Sequence, residues 1–294
     1  MIIDAHHHLW DPADRAYPWM DDSVAAIDRR FDVGDLRAAT TGTDVTASIV
    51  VQAVHDEDET AFLLAQPAPV VGVVGWVDLT APDVADRLAR LLEDRPTRSA
   101  AGPAARPSAP ITPALVGIRH QAQDEPDPDW LARPEVVRGV GAVAGAGLAY
   151  DLLVRAREHA AALALVDAVP GARFVLDHAG KPDIAAGDAG WRQRMADFAA
   201  RPNVVCKVSG LLTEAGPDWR DRPVARYAHE VVEVFGPDRT LFGSDWPVST
   251  LATDYAEVLG TVQDTLADLT ADERDMVFRR TAEATYLAPR GIQT

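Results

Sequence analysis

Short runs of β-branched and other apolar residues recur along the chain, separated by longer stretches whose apolar positions return every three or four residues. The short runs predict strands at 1–5, 47–52, 70–77, 115–119, 148–152, 173–177, 203–209 and 240–243. The longer stretches predict helices at 56–65, 82–93, 135–143, 154–169, 189–200, 224–235 and 254–269. Strand and helix alternate, which is the order of a parallel α/β architecture. Eight strand-helix units in 294 residues fit a (β/α)8 TIM barrel as one domain spanning 1–294. A doubly wound open sheet fits less well, because no G-x-G-x-x-G follows the first strand. The segment 95–113, rich in Pro, Ala, Ser and Arg, breaks the rhythm and predicts a flexible insertion within that domain.

Composition narrows the classes of function. Hydrophobic residues make up 47% and charged residues 25%, values typical of a globular chain. A net charge of −17 argues against nucleic acid, whose phosphates require clustered basic charge. No run of about 20 apolar residues is present, and the N-terminus lacks the basic-then-apolar pattern of a signal peptide. The expectation is a cytoplasmic protein with no membrane partner, its self-association left open. Cys206 is the single cysteine, so neither an internal disulfide nor a cysteine-based zinc site is available. No G-x-S-x-G turn occurs, and Cys206 lies within an apolar run, so a covalent serine or cysteine mechanism is disfavoured.

The chemistry gathers where strands end, and in a barrel those ends converge on one mouth. The first strand runs into His6-His7-His8, where alternation turns His6 and His8 to one face and His7 to the other. The sixth runs into Asp177-His178-Ala179-Gly180-Lys181-Pro182, and the eighth into Gly243-Ser244-Asp245-Trp246-Pro247. His6, His8, His178 and Asp245 thus form a candidate set for one divalent metal ion, zinc being the expected one. A metal-free site, in which the imidazoles donate hydrogen bonds, is the alternative. Asp245 is the candidate general base for an activated water. The fourth strand ends in Arg119-His120-Gln121. A guanidinium there suits a carbonyl or carboxylate. The only two lysines are Lys181 and Lys207. No lysine ends strand four, which disfavours a carbamylated lysine bridging two metals.

These motifs, with Tyr17-Pro18-Trp19 and Lys207-Val208-Ser209-Gly210-Leu211, resemble the amidohydrolase superfamily. More narrowly they resemble the lactonase-type branch of amidohydrolase-related (amidohydrolase 2) proteins, which includes sugar and pyrone-dicarboxylate lactonases. The resemblance runs from Ile3 to about Tyr286, the insertion apart. It implies a metal-dependent barrel hydrolase that opens a cyclic ester by direct attack of water. His6, His8 and His178 would take metal-ligand or carbonyl-polarising roles and Asp245 would transfer the proton. Catalysis would rest on Asp245 and His178, and Arg119, His120, Lys181 and Trp246 would lie near the substrate. Strand five carries Tyr150 and Asp151 where the superfamily pattern usually has a histidine, which argues against a binuclear site. The modest number of cations at the strand ends favours a neutral aldonolactone of fucono-, rhamnono- or galactono-type. Two other classes stay open: a metal-dependent decarboxylase of the same superfamily, and a non-catalytic ligand-binding barrel.

Overall fold

The structure is a computed structural model that describes residues 1–93 and 112–288. The expected insertion at 95–113 lies outside the described residues except for Thr112 and Pro113. Eight strands form one sheet in sequence order: β1 (Ile2–His7), β2 (Val45–Val51), β3 (Val70–Gly75), β4 (Ala114–His120), β5 (Ala149–Leu152), β6 (Arg173–Leu176), β7 (Val204–Val208) and β8 (Thr240–Phe242). Every neighbouring pair is parallel. Each predicted strand overlaps its observed counterpart. β1 and the chain just past β8 close the ring, through Asp245 N–H to His6 O (2.8 Å) and His8 N–H to Trp246 O (2.7 Å).

A strand in such a barrel is buried on both faces, which explains the continuous apolar runs. Ile3, Ile49, Val51, Val74, Val116, Val175 and Leu241 pack together on the inner face. The larger outer core lies under the helices, where Leu36, Leu63, Leu88, Val140, Leu165, Phe198, Val231 and Leu259 are buried. Among the helices are α1 (Val33–Ala39), α2 (Glu57–Leu64), α3 (Val84–Glu93), α4 (Pro134–Gly145), α5 (His159–Ala168), α6 (Trp191–Ala199), α7 (Leu211–Glu214), α8 (Val224–Phe235), α9 (Tyr255–Thr265) and α10 (Ala271–Asp275). Aspartates begin several of them: Asp56 accepts from Asp58 N–H at 2.9 Å, and Asp254 from Glu257 N–H at 2.9 Å.

Three features depart from the sequence pattern. α1 was not predicted, because seven residues opening on Val-Gly offer too brief a period; Asp32 caps it through Gly34 and Asp35. The helix predicted at 154–169 begins instead as a 3-10 turn, with Glu158 accepting from Arg155 N–H at 2.9 Å. After α10 the chain widens into π-helical turns at Met276–Arg280 and Glu283–Leu287, which carry Tyr286 into the inner barrel core. No described helix is long and apolar enough to cross a membrane.

Candidate metal centre at the barrel mouth

The histidine pair owes its direction to an irregularity in β1. Asp4 aligns with Ser48 and His7 with Val50, so three steps along β1 match two along β2. That extra residue is a bulge, and it breaks the alternation between Asp4 and the histidines. Asp4 accepts from Ser244 Oγ (2.6 Å), Tyr255 O–H (2.9 Å) and the His6 backbone N–H (3.1 Å), so its carboxylate is taken up by these donors. His7 reaches Ser48 Oγ at 3.0 Å, and His6 and His8 share the mouth as expected.

The other two strand ends are shaped by left-handed backbone. His178, Ala179 and Lys181 have φ near +50°, and Asp245 has φ of +57°. Non-glycine residues there cost roughly 1–2 kcal/mol each. Such conformations persist only where surrounding contacts enforce them, and they concentrate at functional sites. Here Trp191 Nε1–H donates to Ala179 O at 2.7 Å and His159 Nε2 lies 3.1 Å from Gly180 O. Gly243 permits the close approach of the β8 end to β1, since a Cβ there would meet His6 Cβ at 2.5 Å.

Three of the four candidate ligands converge, and His8 adjoins two of them without joining the mutually close set. His6 Nε2 lies 3.3 Å from His8 Nε2, and Asp245 Oδ1 lies 3.8, 3.6 and 3.9 Å from the Nε2 atoms of His6, His8 and His178. His6, His178 and Asp245 each offer a ligand atom within 4.8 Å of the other two, and all three are buried. Donor atoms sharing one ion at bonds of about 2.1 Å stand about 3.0–3.4 Å apart, so this set is slightly open.

Protonation supports the fit. Burial lowers all three imidazoles: His178 to about 4, His8 to about 3 and His6 well below its ordinary range. His8 Nδ1 faces Val51 O at 2.8 Å, and a carbonyl only accepts, so that nitrogen carries the proton. His6 Nδ1 faces Asp177 Oδ1 at 3.3 Å. Burial alone would raise Asp177, but Lys207, His6 and Arg119 hold it well below the carboxylate range. Lys207 Nζ also faces His6 Nδ1, at 3.1 Å, and an ammonium only donates, so the two Nε2 atoms 3.3 Å apart are satisfied either by one shared proton or by one shared cation. His178 Nδ1 is held by Ser209 Oγ at 2.9 Å, leaving its Nε2 for the same centre.

Charge balance points the same way. Beneath His6, Lys207 Nζ contacts Asp151 Oδ2 (2.6 Å), Asp177 Oδ1 (2.9 Å) and His6 Nδ1 (3.1 Å). Tyr286 O–H donates to Asp151, its oxygen 2.9 and 2.8 Å from the two carboxylate oxygens. Arg119 Nη1 donates to Asp177 Oδ2 at 3.1 Å, lies 3.4 Å from His6 Nε2, and its Nη2 donates to Gln52 O. Arg119 and Lys207 are committed to Asp151 and Asp177, and among the described residues Asp245 has only imidazoles, no Lys or Arg, at ion-pair distance. Burial pushes its proton affinity up.

The remaining expected residues ring this centre. Lys181 Nζ contacts Glu214 Oε1 at 2.9 Å and donates to Gln123 Oε1 at 3.0 Å. Trp246 is buried with its ring edge-to-face on Phe31, centroids 5.3 Å apart. His120 is sandwiched between His55 and Trp130, each 3.9 Å away by centroid. Its Nδ1 accepts from Trp76 Nε1–H at 3.1 Å, so its Nε2–H donates to Glu125 Oε1 at 2.8 Å. His55, His120 and Glu125 also have metal-ligand spacing, but Gln121 N–H occupies His55 Nε2 at 3.0 Å, and the cluster satisfies itself. The sequence pattern left Ser209, Asp151, Tyr286 and Glu214 unassigned. A charge such as Asp151 within an apolar strand was the one available signal. Cys206 is buried and its thiol is pushed up, in line with an inert role.

An eight-stranded barrel with buried imidazoles and a carboxylate at the C-terminal ends of its strands defines a barrel of the metal-dependent hydrolase class. A family model described as amidohydrolase matches residues 3–287, and the chain belongs to that family. It is 38% identical to an L-fucono-1,5-lactonase of Burkholderia ambifaria, over 87% of this chain and 83% of that one. It is 36% identical to an L-fucono-1,5-lactonase of Burkholderia multivorans, over 98% of this chain and 96% of the relative. A crystal structure of an amidohydrolase from Burkholderia multivorans with bound zinc superimposes with a TM-score of 0.86 at 36% identity, covering 98% of this chain and 100% of that one.

Proposed function

We propose that this protein is a lactonase that hydrolyses a neutral sugar aldonolactone of the fucono-, rhamnono- or galactono-type. One zinc ion would be held by His6, His8, His178 and Asp245. The observation that carries this reading is the convergence of His6, His178 and one Asp245 carboxylate oxygen in a buried site beside His8, whose second nitrogen is fixed by Val51 O as that of His178 is held by Ser209. The names of the two Burkholderia lactonases and the zinc of the Burkholderia multivorans structure support it. When bound, zinc supplies Lewis-acid polarisation and makes a nearby water easier to deprotonate.

The chain's own groups do the rest. Asp245, its basicity raised by burial, takes a proton from water as the oxygen bonds to the lactone carbonyl carbon. The tetrahedral intermediate carries negative charge, which the Arg119 guanidinium beside His6 stabilises. Collapse breaks the bond to the ring oxygen, and Asp245 returns its proton there, giving the hydroxy acid. His178 positions the centre, Lys181 and the wall formed by His120 line the approach, and Trp246 packs behind Asp245.

Acid release from neutral sugar lactones, followed with a pH indicator before and after chelation, tests the proposal. Turnover lost on chelation and restored by zinc is expected. Asp245→Asn should lower the rate by about 10²–10⁴-fold. Failure to open any sugar lactone, with carbon dioxide release from an aromatic acid instead, would overturn it.

A further inference from the structure

One polar group that lines the approach takes no part in the bond-making steps above. Lys181 closes the left-handed turn after β6, and its ammonium is held from two sides: Glu214 Oε1 at 2.9 Å and Gln123 Oε1 at 3.0 Å. Glu214 ends α7, the single turn that begins after Gly210, and Gly210 packs on the His178 ring. Gln123 sits in the loop after β4, its N–H on Leu153 O at 3.2 Å. The arch therefore ties together loops that follow β4, β6 and β7, all at the end of the barrel where Asp245 lies. Its side chains are partly accessible, 14% for Lys181 and 27% for Glu214, and both charges are close enough to act on Asp245, so they stand at the rim of the site rather than in the core.

The other cations of the site are already matched. Arg119 pairs with Asp177, and Lys207 pairs with Asp151 and Asp177. Lys181 alone would give the rim a positive charge able to hold an anionic group. Beside Glu214 it presents instead a donor next to an acceptor, which matches a hydroxyl, since a hydroxyl both donates and accepts. A carboxylate at the same place would gain the ammonium but meet a like charge beside it.

We propose that Glu214 is a specificity-determining residue. By cancelling the charge of Lys181, with Gln123 completing the arch, it sets the rim to accept a neutral hydroxyl-bearing lactone and to reject one that carries a carboxylate. The inference rests on the lactonase reading and assigns its substrate class to particular side chains.

The test compares kcat/KM for a neutral aldonolactone with that for a sugar-acid monolactone of the same ring size, in which a carboxylate replaces the terminal carbinol. Wild-type protein should favour the neutral lactone. Glu214→Gln should shift the ratio about tenfold toward the acid lactone, chiefly through a lower KM for it, as expected of one screened charge at a rim. Gln123→Glu adds a charge to the same arch and should shift the ratio the opposite way. An unchanged ratio in folded Glu214→Gln protein that retains its zinc, or the same direction of shift in both variants, overturns the assignment. A wild-type protein inert toward both lactones would instead remove the lactonase reading, and this inference with it.

Discussion

Gly210 lies so close to His178 that a Cβ on it would stand 2.7 Å from the imidazole Nδ1, and its φ is +65°. The residue after Ser209 is thus doubly constrained, by its own backbone and by the ring it supports. Gly210→Ala should lower stability by about 1–2 kcal/mol through the left-handed backbone alone. The displaced ring should also lose its bond to Ser209, weakening zinc binding by roughly 10–100-fold. Urea unfolding and competition with a chelator measure the two effects separately.

The buried ion network under His6 depends on the C-terminal turns. Tyr286→Phe leaves the Asp151 carboxylate without its hydroxyl donor and should cost about 1–3 kcal/mol. Lys207→Met leaves Asp151 and Asp177 buried without their shared cation and should cost more, about 3–5 kcal/mol. Urea midpoints of the two variants check the order, and equal losses would contradict it.

Acid should destabilise the fold through histidines outside the centre. Burial lowers His55 and His159 to about 4 and His120 to about 3. Below pH 6.5 the unfolded chain takes up protons that the folded chain refuses. The stability these groups contribute is therefore full above 6.5 and lost as pH falls toward 4. Each such group adds up to about 1.4 kcal/mol per pH unit to the slope within that window. His159→Gln, which keeps a donor for Gly180 O, should flatten the pH dependence of the urea midpoint by about one proton.

Glu59 should act in the opposite sense. It is fully buried in α2, accepts from Ala53 N–H (2.9 Å) and Val54 N–H (3.2 Å), and burial pushes it up to about 7. The folded state holds this proton more tightly than the unfolded chain, so stability falls as pH rises from 4.5 to 7. Glu59→Gln retains an acceptor for both amides and should remove that loss, making the variant more stable than wild type at pH 8. A lower midpoint at pH 8 would count against the assignment.

Much of the architecture was legible because its signals are local. The eight apolar runs mark strands buried on both faces, and they recover the barrel order without reference to any pairing. His6, His8, His178 and Asp245 stood out as polar residues where those runs stop. Lys207 and Asp151 were visible as charges inside apolar strands, but not as partners, since they are 56 positions apart. His120 was legible as a strand-end imidazole, whereas its enclosure by His55, Trp76, Glu125 and Trp130 was not.

By itself, the sequence determined the number and order of the β/α units and which side chains stand at the strand ends, because hydrophobic periodicity depends only on neighbouring residues. Only the tertiary structure decided how those side chains meet. The bulge in β1 exists only relative to the register of β2, and the donors that take up Asp4 beside it come from Ser244 and Tyr255, more than 200 positions away. The left-handed backbone at His178 and Asp245 is maintained by contacts from distant elements. The neutrality of the imidazoles, and the raised proton affinity of Asp245, follow from how completely the assembled barrel excludes water from them.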